Sequence, residues 1–117
     1  MPRFTISRHD HPEVHWDFFL EDGEELLTWR LTHPLDVEEP IAAKKLPSHR
    51  LIYLDYSGPV SRNRGTVTKL VTGHFDWLTG DANATIIEVH LTSTEFRGRC
   101  ELRHIDDDDW ACRFQSS

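Results

Sequence analysis

Cysteine and methionine are scarce in this chain of 117 residues, which contains two cysteines and one methionine. The two thiols, Cys100 and Cys112, are too few for the disulfide framework on which small secreted domains depend. Apolar runs are also short: none approaches the ~20 residues of a membrane-spanning helix, and the first residues lack the apolar stretch of a signal peptide. We therefore expect no membrane association, a cytoplasmic location and reduced thiols.

Basic residues are outnumbered as well. Thirteen Lys and Arg face 20 Asp and Glu, which gives a formal net charge of -7 at pH 7. This balance argues against a broad nucleic-acid interface, because phosphate backbones are normally bound by a basic face. A single phosphate at a strand end needs less, since one metal ion and two or three basic side chains can neutralise it. Any contact with nucleic acid should therefore be local.

Aromatic residues are what the chain has in quantity, with four Trp, six Phe and two Tyr. These bulky side chains supply core material that offsets the conformational entropy lost on folding. A length of 117 residues fits one domain with its own core. We therefore expect one folded domain over residues 1–117.

Apolar and polar residues alternate between positions 14 and 21, which read VHWDFFLE. Alternation with a period of two is typical of a strand that has one apolar face. Similar runs, separated by turn residues, recur along the chain, and this favours a small all-β fold. We predict an antiparallel β-barrel of about eight strands with a polar metal-binding crater. The strands are predicted at about 4–7, 14–20, 27–31, 51–56, 66–72, 74–78, 85–91, 96–104 and 110–115.

Two connections carry predictions of their own. Asp22-Gly23 between alternating runs favours a two-residue hairpin loop, which would place Asp17 opposite Thr28 and His15 opposite Arg30. Residues 33–47 contain three prolines and several acidic residues, and predict a long irregular connection.

His15 and Asp17 are the first residues with chemistry of interest. Two positions apart on a strand, their side chains point to the same side, about 7 Å apart along it. With a third imidazole they would form a site of two histidines and one carboxylate, which suits Mn, Fe or Zn. The alternative is that His15 is an ordinary polar partner across the sheet.

Two histidine-containing blocks carry a family resemblance. Residues 4–21 read FTISRHDHPEVHWDFFLE and residues 49–58 read HRLIYLDYSG. They resemble the 3'-phosphoesterase domain of bacterial DNA ligase D, in which a His is followed six residues later by His-Tyr-Asp-Phe-Arg-Leu-Glu. A later block of that family reads His-Pro-Leu-Asp-Tyr-Ala-Asp-Phe-Glu-Gly. The matching residues include His9, His15, Asp17, His49, Tyr53, Asp55 and Gly58.

The resemblance implies a stand-alone member of the DNA polymerase-ligase N-terminal domain family. Such a protein would be a metal-dependent hydrolase of 3'-phosphate or 3'-ribonucleotide ends in DNA repair by non-homologous end joining. Its implied metal ligands are His9, Asp17 and His49, with manganese as the first expectation and zinc or another transition metal as the alternative. His15 and Tyr53 are then phosphate-facing catalytic residues. The implied partners are the 3' end of DNA or of an RNA-containing primer, and a DNA ligase or another end-joining protein.

One departure from the family pattern bears on activity. Phe19 occupies the position of the family's arginine two residues after the Asp, so a bidentate phosphate clamp is missing. Arg30 is the candidate replacement, because the predicted hairpin places it on the same face as His15. This departure predicts weak activity, which an arginine at position 19 would raise.

Two other functions fit parts of the pattern. A catalytically inactive relative would keep the barrel and bind a nucleic-acid end or a repair protein as a module, and the loss of the arginine at position 19 favours it. A non-haem iron oxygenase would use His15, Asp17 and His49 as its facial triad. Turnover of 3'-phosphate ends separates the first from the phosphoesterase, and oxygen uptake with iron and a 2-oxo acid tests the second.

Overall fold

The computed structural model describes residues Met1–Ser117 as nine strands and one short 3-10 turn. It contains no helix that is long and apolar enough to cross a membrane. The strands are β1 (Arg3–His9), β2 (His15–Asp22), β3 (Glu25–Leu31), β4 (Ile41–Arg50), β5 (Gly58–Pro59), β6 (Thr66–Thr79), β7 (Ile86–Ser93), β8 (Arg97–Asp106) and β9 (Asp109–Ser116). The 3-10 turn, Leu51–Leu54, follows β4 directly.

Eight of these strands close into a barrel. The strand order is β1-β2-β3-β4-β9-β8-β7-β6, and β1 pairs with β6 to complete the ring. The two-residue strand β5 pairs only with β6 and lies outside the ring. All pairings are antiparallel, so the predicted antiparallel barrel of about eight strands is confirmed.

The barrel interior is filled by apolar side chains from all eight strands of the ring. Phe18 on β2 and Phe114 on β9 have ring centroids 5.6 Å apart although their strands are not neighbours, so their contact crosses the interior. Trp29, the largest fully buried side chain, packs edge-on against Trp110 at 5.6 Å. The interior is therefore a packed core and contains no polar channel.

The opposite face of β2 carries the polar residues expected from its alternation. Phe18 belongs to the interior core, so its neighbours Asp17 and Phe19 point to the outside of the barrel wall. Both are nevertheless buried, because the 3-10 turn packs over this face. Phe19 forms a second apolar cluster with Leu26 and Leu54, against which Tyr53 also packs. The predicted crater is thus a covered region on the outer wall.

The β2–β3 hairpin differs in register from the prediction. The loop residues are Gly23 and Glu24, and Asp17 pairs with Arg30, whereas Asp17 was expected opposite Thr28. Gly23 has φ of +62°, which suits the first central position of a type II' turn. The prediction assumed glycine at the second central position, and the pairing therefore moved by two residues. An even shift preserves the face, so Arg30 remains on the side of Asp17.

Two other local predictions were wrong. Residues 33–47 are not wholly irregular, because β4 begins at Ile41, and residues 51–56 contain a 3-10 turn and no strand, where a strand was expected. Pro47 explains part of the first error. The β3–β4 register shifts between Leu26 and Thr28, so Pro47 lies at an irregularity where no ladder hydrogen bond is required. The predicted strands 66–72 and 74–78 are one strand, β6.

Candidate metal and phosphate site

The candidate site is built from residues that face one another across β1, β2 and β3. Ser7 pairs with Asp17, and Asp17 pairs with Arg30, so these three form one row across the outer wall. His9 pairs with His15 in the next row. Side chains that are directly opposite on one face of a sheet lie about 5 Å apart at Cβ. The register alone therefore gathers two imidazoles, a carboxylate and a guanidinium.

His9, His15 and Asp17 form a cluster with the composition of a metal site. One ligand atom of each lies within 4.8 Å of the other two. His15 Nε2 is 3.4 Å from Asp17 Oδ2. Two ligands held about 2.1 Å from one ion in tetrahedral geometry would be roughly 3.4 Å apart, so this pair has the spacing of joint ligands.

The hydrogen bonds of His15 indicate which of its nitrogens is available. Its Nδ1 is 2.9 Å from the carbonyl oxygen of Glu13, and a carbonyl only accepts, so Nδ1 carries the proton and donates it. In a neutral ring, Nε2 then has a lone pair directed at the Asp17 carboxylate. Both His15 Nε2 and Asp17 Oδ1 are buried without a hydrogen-bond partner. Two unpaired buried acceptors side by side are costly unless a cation or a proton lies between them.

His9 is held by residues 51–65, which we call the covering segment because they lie over the site. Its Nε2 donates a hydrogen bond of 2.7 Å to the carbonyl oxygen of Arg64, which leaves Nδ1 as the nitrogen available for a ligand. Its ring centroid is 4.9 Å from that of His15. The backbone bond fixes the ring orientation in the way that partners outside a metal site orient the ligating histidines.

Arg30 brings positive charge to the same place. Its Nε is 4.0 Å from Asp17 Oδ1, too far for a hydrogen bond, and this nitrogen is buried without a partner. An unpaired buried donor is costly in the same way as an unpaired acceptor. The site thus combines unpaired buried acceptors with an unpaired buried donor.

A pocket of about 270 Å³ opens in front of this cluster. The residues that line it include Asp17, Arg30, His49 and Tyr53. The His49 ring lies 5.5 Å from that of Phe19 and 5.8 Å from that of Tyr53. His49 Nδ1 donates to the Pro47 carbonyl at 3.0 Å, which leaves its Nε2 for chemistry.

Ion pairing anchors the covering segment to the barrel. Arg3 on β1 donates to both carboxylate oxygens of Asp55, at 3.0 and 2.6 Å, and Lys69 Nζ lies 3.6 Å from the same carboxylate. The hydrogen bonds that Arg3 donates to Asp55 lower the pKa of Asp55 and raise the pKa of Arg3. Thr5 adds a buried hydrogen bond of 2.7 Å to the Leu54 carbonyl.

The residues chosen from the sequence all lie at this site. His9, Asp17, His49, Tyr53 and Arg30 line the pocket, and His15 completes the cluster with His9 and Asp17. The close cluster contains His15 and does not include His49, which lines the pocket.

Sequence reasoning missed two further pocket residues. His11 lines the pocket with a ring centroid 6.5 Å from that of His9, and Arg64 contributes its side chain to the wall as well as its carbonyl to His9. The two basic residues of the segment SRNR, 61–64, were the available signal for Arg64. Nothing in the spacing of His11 distinguished it from a surface histidine.

Comparison with known protein families shows which family the chain belongs to. The sequence model described as the DNA Ligase D 3'-phosphoesterase domain matches residues 7–104. The chain belongs to the DNA ligase D 3'-phosphoesterase domain family. None of the curated proteins compared with the chain matches it. The resemblance of the two histidine blocks is therefore confirmed.

The match includes every candidate site residue of this phosphoesterase-family domain, from His9 to Tyr53. It spans the barrel from β1 to β8. Phe19, which replaces the arginine expected from the resemblance, is 3% exposed and belongs to the second apolar cluster. A buried aromatic side chain therefore stands where the resemblance implies an arginine.

Proposed function

We propose that this domain is a metal-dependent 3'-phosphoesterase that removes phosphate or a ribonucleotide from the 3' end of a nucleic acid strand during DNA repair. The family supports a 3'-phosphoesterase-like domain acting in DNA repair. Its substrate would be the 3' end of DNA or of an RNA-containing primer, and a DNA ligase or another end-joining protein would act on the processed end. We expect it to work in the cytoplasm, where DNA is found and where its two free thiols stay reduced.

One observation carries the proposal. Asp17 and Arg30 line the pocket, and three buried polar atoms without partners lie together beside it: the acceptors His15 Nε2 and Asp17 Oδ1 and the donor Arg30 Nε. A divalent cation together with a phosphate oxygen would satisfy all three atoms. Buried polar atoms without partners are rare in folded proteins and commonly mark a functional site.

The donor set fits a divalent transition metal. Two imidazoles and one carboxylate suit manganese, iron or zinc, and manganese remains the first expectation. A divalent ion bound there polarises a phosphoryl oxygen and lowers the pKa of a bound water. His9 and His15 would hold it through Nδ1 and Nε2 respectively, since their other nitrogens donate to backbone carbonyls.

The geometry favours an exchange of roles between two histidines. The resemblance implies His49 as a ligand and His15 as a phosphate-facing residue, but the close cluster joins His15 to His9 and Asp17. We therefore propose His15 as the third ligand. His49 would face the phosphate across the pocket and transfer a proton at Nε2, with Tyr53 donating a hydrogen bond to the developing charge.

Arg30 would supply the charge that Phe19 lacks. Its guanidinium lines the pocket, and its Nε has no protein partner to give up when a phosphate arrives. A preorganised donor that meets charge in the transition state typically contributes ~10²- to 10³-fold in rate. Activity is then expected despite the aromatic residue at position 19.

The experiment is a manganese-dependent turnover assay on oligonucleotides that end in a 3'-phosphate or a 3'-ribonucleotide. Wild type should release phosphate or nucleoside only with the metal, and Asp17→Asn should lose this activity. Asp22→Asn is the matched control, because Asp22 lies on the same strand but is exposed and outside the pocket. Thermal unfolding shows whether both variants are folded. If they are, equal turnover by the two would refute the proposal.

The binding module is the second candidate, and the burial of Phe19 favours it. Phe19 offers no donor to a phosphate and fills the space beside His49 and Tyr53. A module would bind labelled 3'-phosphate oligonucleotides, by fluorescence anisotropy, without releasing product under any metal. The oxygenase alternative has no comparable support, since its triad needs His49, whereas the close cluster joins His15 and Asp17 to His9.

A further inference from the structure

A second pocket lies beside the candidate site and is lined by residues of the covering segment. It has a volume of about 290 Å³ and extends from Arg50, at the end of β4, across the 3-10 turn to Arg64. Tyr53, Val60 and Arg64 line both pockets. The two cavities are therefore adjacent, and these three residues belong to both.

The second pocket has the chemistry of a nucleotide-binding surface. Tyr53 and Tyr56 contribute two rings with centroids 6.0 Å apart and planes at 78°, so each ring presents its face in a different direction. Arg50 and Arg64 contribute two cations, and no carboxylate lines this pocket. Aromatic faces for bases, together with basic groups for the backbone, are how proteins bind single-stranded nucleic acid.

The distribution of charge adds to this interpretation. The whole chain has a formal net charge of -7. The two joined pockets nevertheless contain three arginines, Arg30, Arg50 and Arg64, against the single carboxylate of Asp17. Positive charge is thus concentrated along one path in an acidic protein, and this path leads away from the metal cluster.

The pocket walls are held in place by local hydrogen bonds. Tyr56 donates its hydroxyl to the Pro59 carbonyl, and Arg64 donates from Nε to the Ser61 carbonyl at 3.0 Å. The pairing of Arg3 with Asp55 anchors the segment that carries both tyrosines. Groups fixed before binding lose less entropy when a ligand arrives.

We propose that the second pocket binds the penultimate nucleotide of a single-stranded 3' end, while the terminal phosphate occupies the first pocket. Its base stacks on Tyr56, and its phosphate contacts Arg50 and Arg64. The inference rests on the proposed function, and it adds the substrate class: single-stranded ends at least two nucleotides long. A base that stacks on a protein side chain is no longer stacked or paired within a duplex. A frayed or unpaired end is therefore preferred.

The test compares substrates of different length. A nucleoside 3'-monophosphate occupies only the first pocket, whereas a dinucleotide with a 3'-phosphate reaches both. We expect wild type to have a kcat/KM at least tenfold higher on the dinucleotide, as deoxyribo- and ribonucleotide alike. Arg50→Ala and Tyr56→Leu should lower kcat/KM roughly tenfold more for the dinucleotide than for the monophosphate, through KM, as expected for a lost stacking or backbone contact.

Two further variants control for folding and charge. Tyr56→Phe keeps the ring and loses only the hydroxyl bond to Pro59, so it should retain the preference for the dinucleotide. Arg103→Ala removes an exposed arginine from β8, on the far side of the barrel, and should leave both substrates unaffected. If Tyr56→Leu does not fold, as judged by thermal unfolding, the comparison stands on Arg50→Ala.

The possible results separate this inference from the proposed function. Equal kcat/KM on both substrates, with no selective effect of Arg50→Ala, would overturn the second pocket and leave the phosphoesterase intact. Absence of turnover on both substrates would overturn the phosphoesterase. Anisotropy of a 5'-labelled dinucleotide 3'-phosphate would then decide on the pocket: weaker binding by Arg50→Ala supports it, and unchanged binding overturns it.

Discussion

Asp17 and Arg30 pair across β2 and β3, and Asp17 Oδ1 and Arg30 Nε approach to 4.0 Å without forming a hydrogen bond. Neither atom has another partner. Opposite charges this close would normally complete a bidentate pair. Their separation leaves Asp17 available to a cation and Arg30 available to an anion.

Arg30→Ala is expected to reduce manganese-dependent turnover by ~10²- to 10³-fold, because a preorganised phosphate donor is lost. Arg30→Lys should recover only part, since an ammonium cannot make two parallel hydrogen bonds. Metal affinity, measured by calorimetric titration of manganese, should persist in both variants. If Arg30→Ala turns over substrate as fast as wild type, another cationic group must bind the phosphate.

The roles of the two histidines are distinguished by metal binding. His15→Ala should abolish manganese binding in calorimetry, because it removes one member of the close cluster. His49→Ala should bind manganese as wild type does and lose turnover, because His49 lines the pocket but is outside the close cluster. The reverse pattern would restore the ligand set implied by the family resemblance, His9, Asp17 and His49.

Gly65→Ala is expected to weaken the metal site indirectly, through the backbone that holds His9. Gly65 has φ of +80°, and a Cβ there would collide with Asp10 Oδ1 and with the side chain of His11. The neighbouring Arg64 carbonyl, which holds His9, would move with it. We expect a lower melting temperature and weaker manganese binding.

Gly23→Ala is the matched control for this substitution. Gly23 has a similar φ of +62°, but a Cβ there meets nothing within 4 Å. It should lose only the cost of a non-glycine residue at a positive φ, about 1–3 kcal/mol, with unchanged metal affinity. Equal manganese affinity in the two glycine variants would contradict the proposed support of His9.

Phe19→Arg is expected to destabilise the fold, in contrast to what the family pattern suggests. The ring is 3% exposed and packs with Leu26 and Leu54, so an arginine would leave a void or bury an unpaired charge. Loss of such a ring costs ~3–5 kcal/mol in Phe→Ala substitutions. Phe19→Leu should be milder. A gain in turnover by Phe19→Arg at an unchanged melting temperature would show that the clamp can return to this position.

The pairing of Arg3 with Asp55 predicts a dependence of stability on pH. The hydrogen bond from Arg3 lowers the pKa of Asp55 in the folded state, so the pair stabilises the fold above the unfolded pKa, near 4. This contribution is lost as the pH falls through the folded pKa. Because both groups are largely exposed, it should not exceed about 1 kcal/mol.

Thermal unfolding between pH 3 and pH 7 checks this dependence. Asp55→Asn should melt below wild type at pH 7, and the difference should shrink as the pH falls below about 4. Asp76→Asn removes an exposed carboxylate on β6 and should show no such trend. A constant difference for Asp55→Asn over the whole range would mean that the ion pair does not contribute.

Part of the site could be predicted from local pattern alone. Alternation from Val14 to Leu20 places His15 and Asp17 on one face, and the barrel was expected from the same period. Register could not be predicted, because the position of Gly23 within the turn decides which residue opposes Asp17. The burial of Phe19 also escaped prediction, since it depends on a 3-10 turn that folds back over the barrel wall.

The location of the site on the outer wall has a consequence for how members of such a family can diverge. The interior core and the cluster of His9, His15 and Asp17 share β2 but use opposite sides of it, so the barrel does not have to be repacked when residues of the site change. Residues 51–65 line part of both pockets and contribute only the two residues of β5 to the sheet. Insertions or deletions in this segment can therefore change the shape of both pockets while the barrel stays the same.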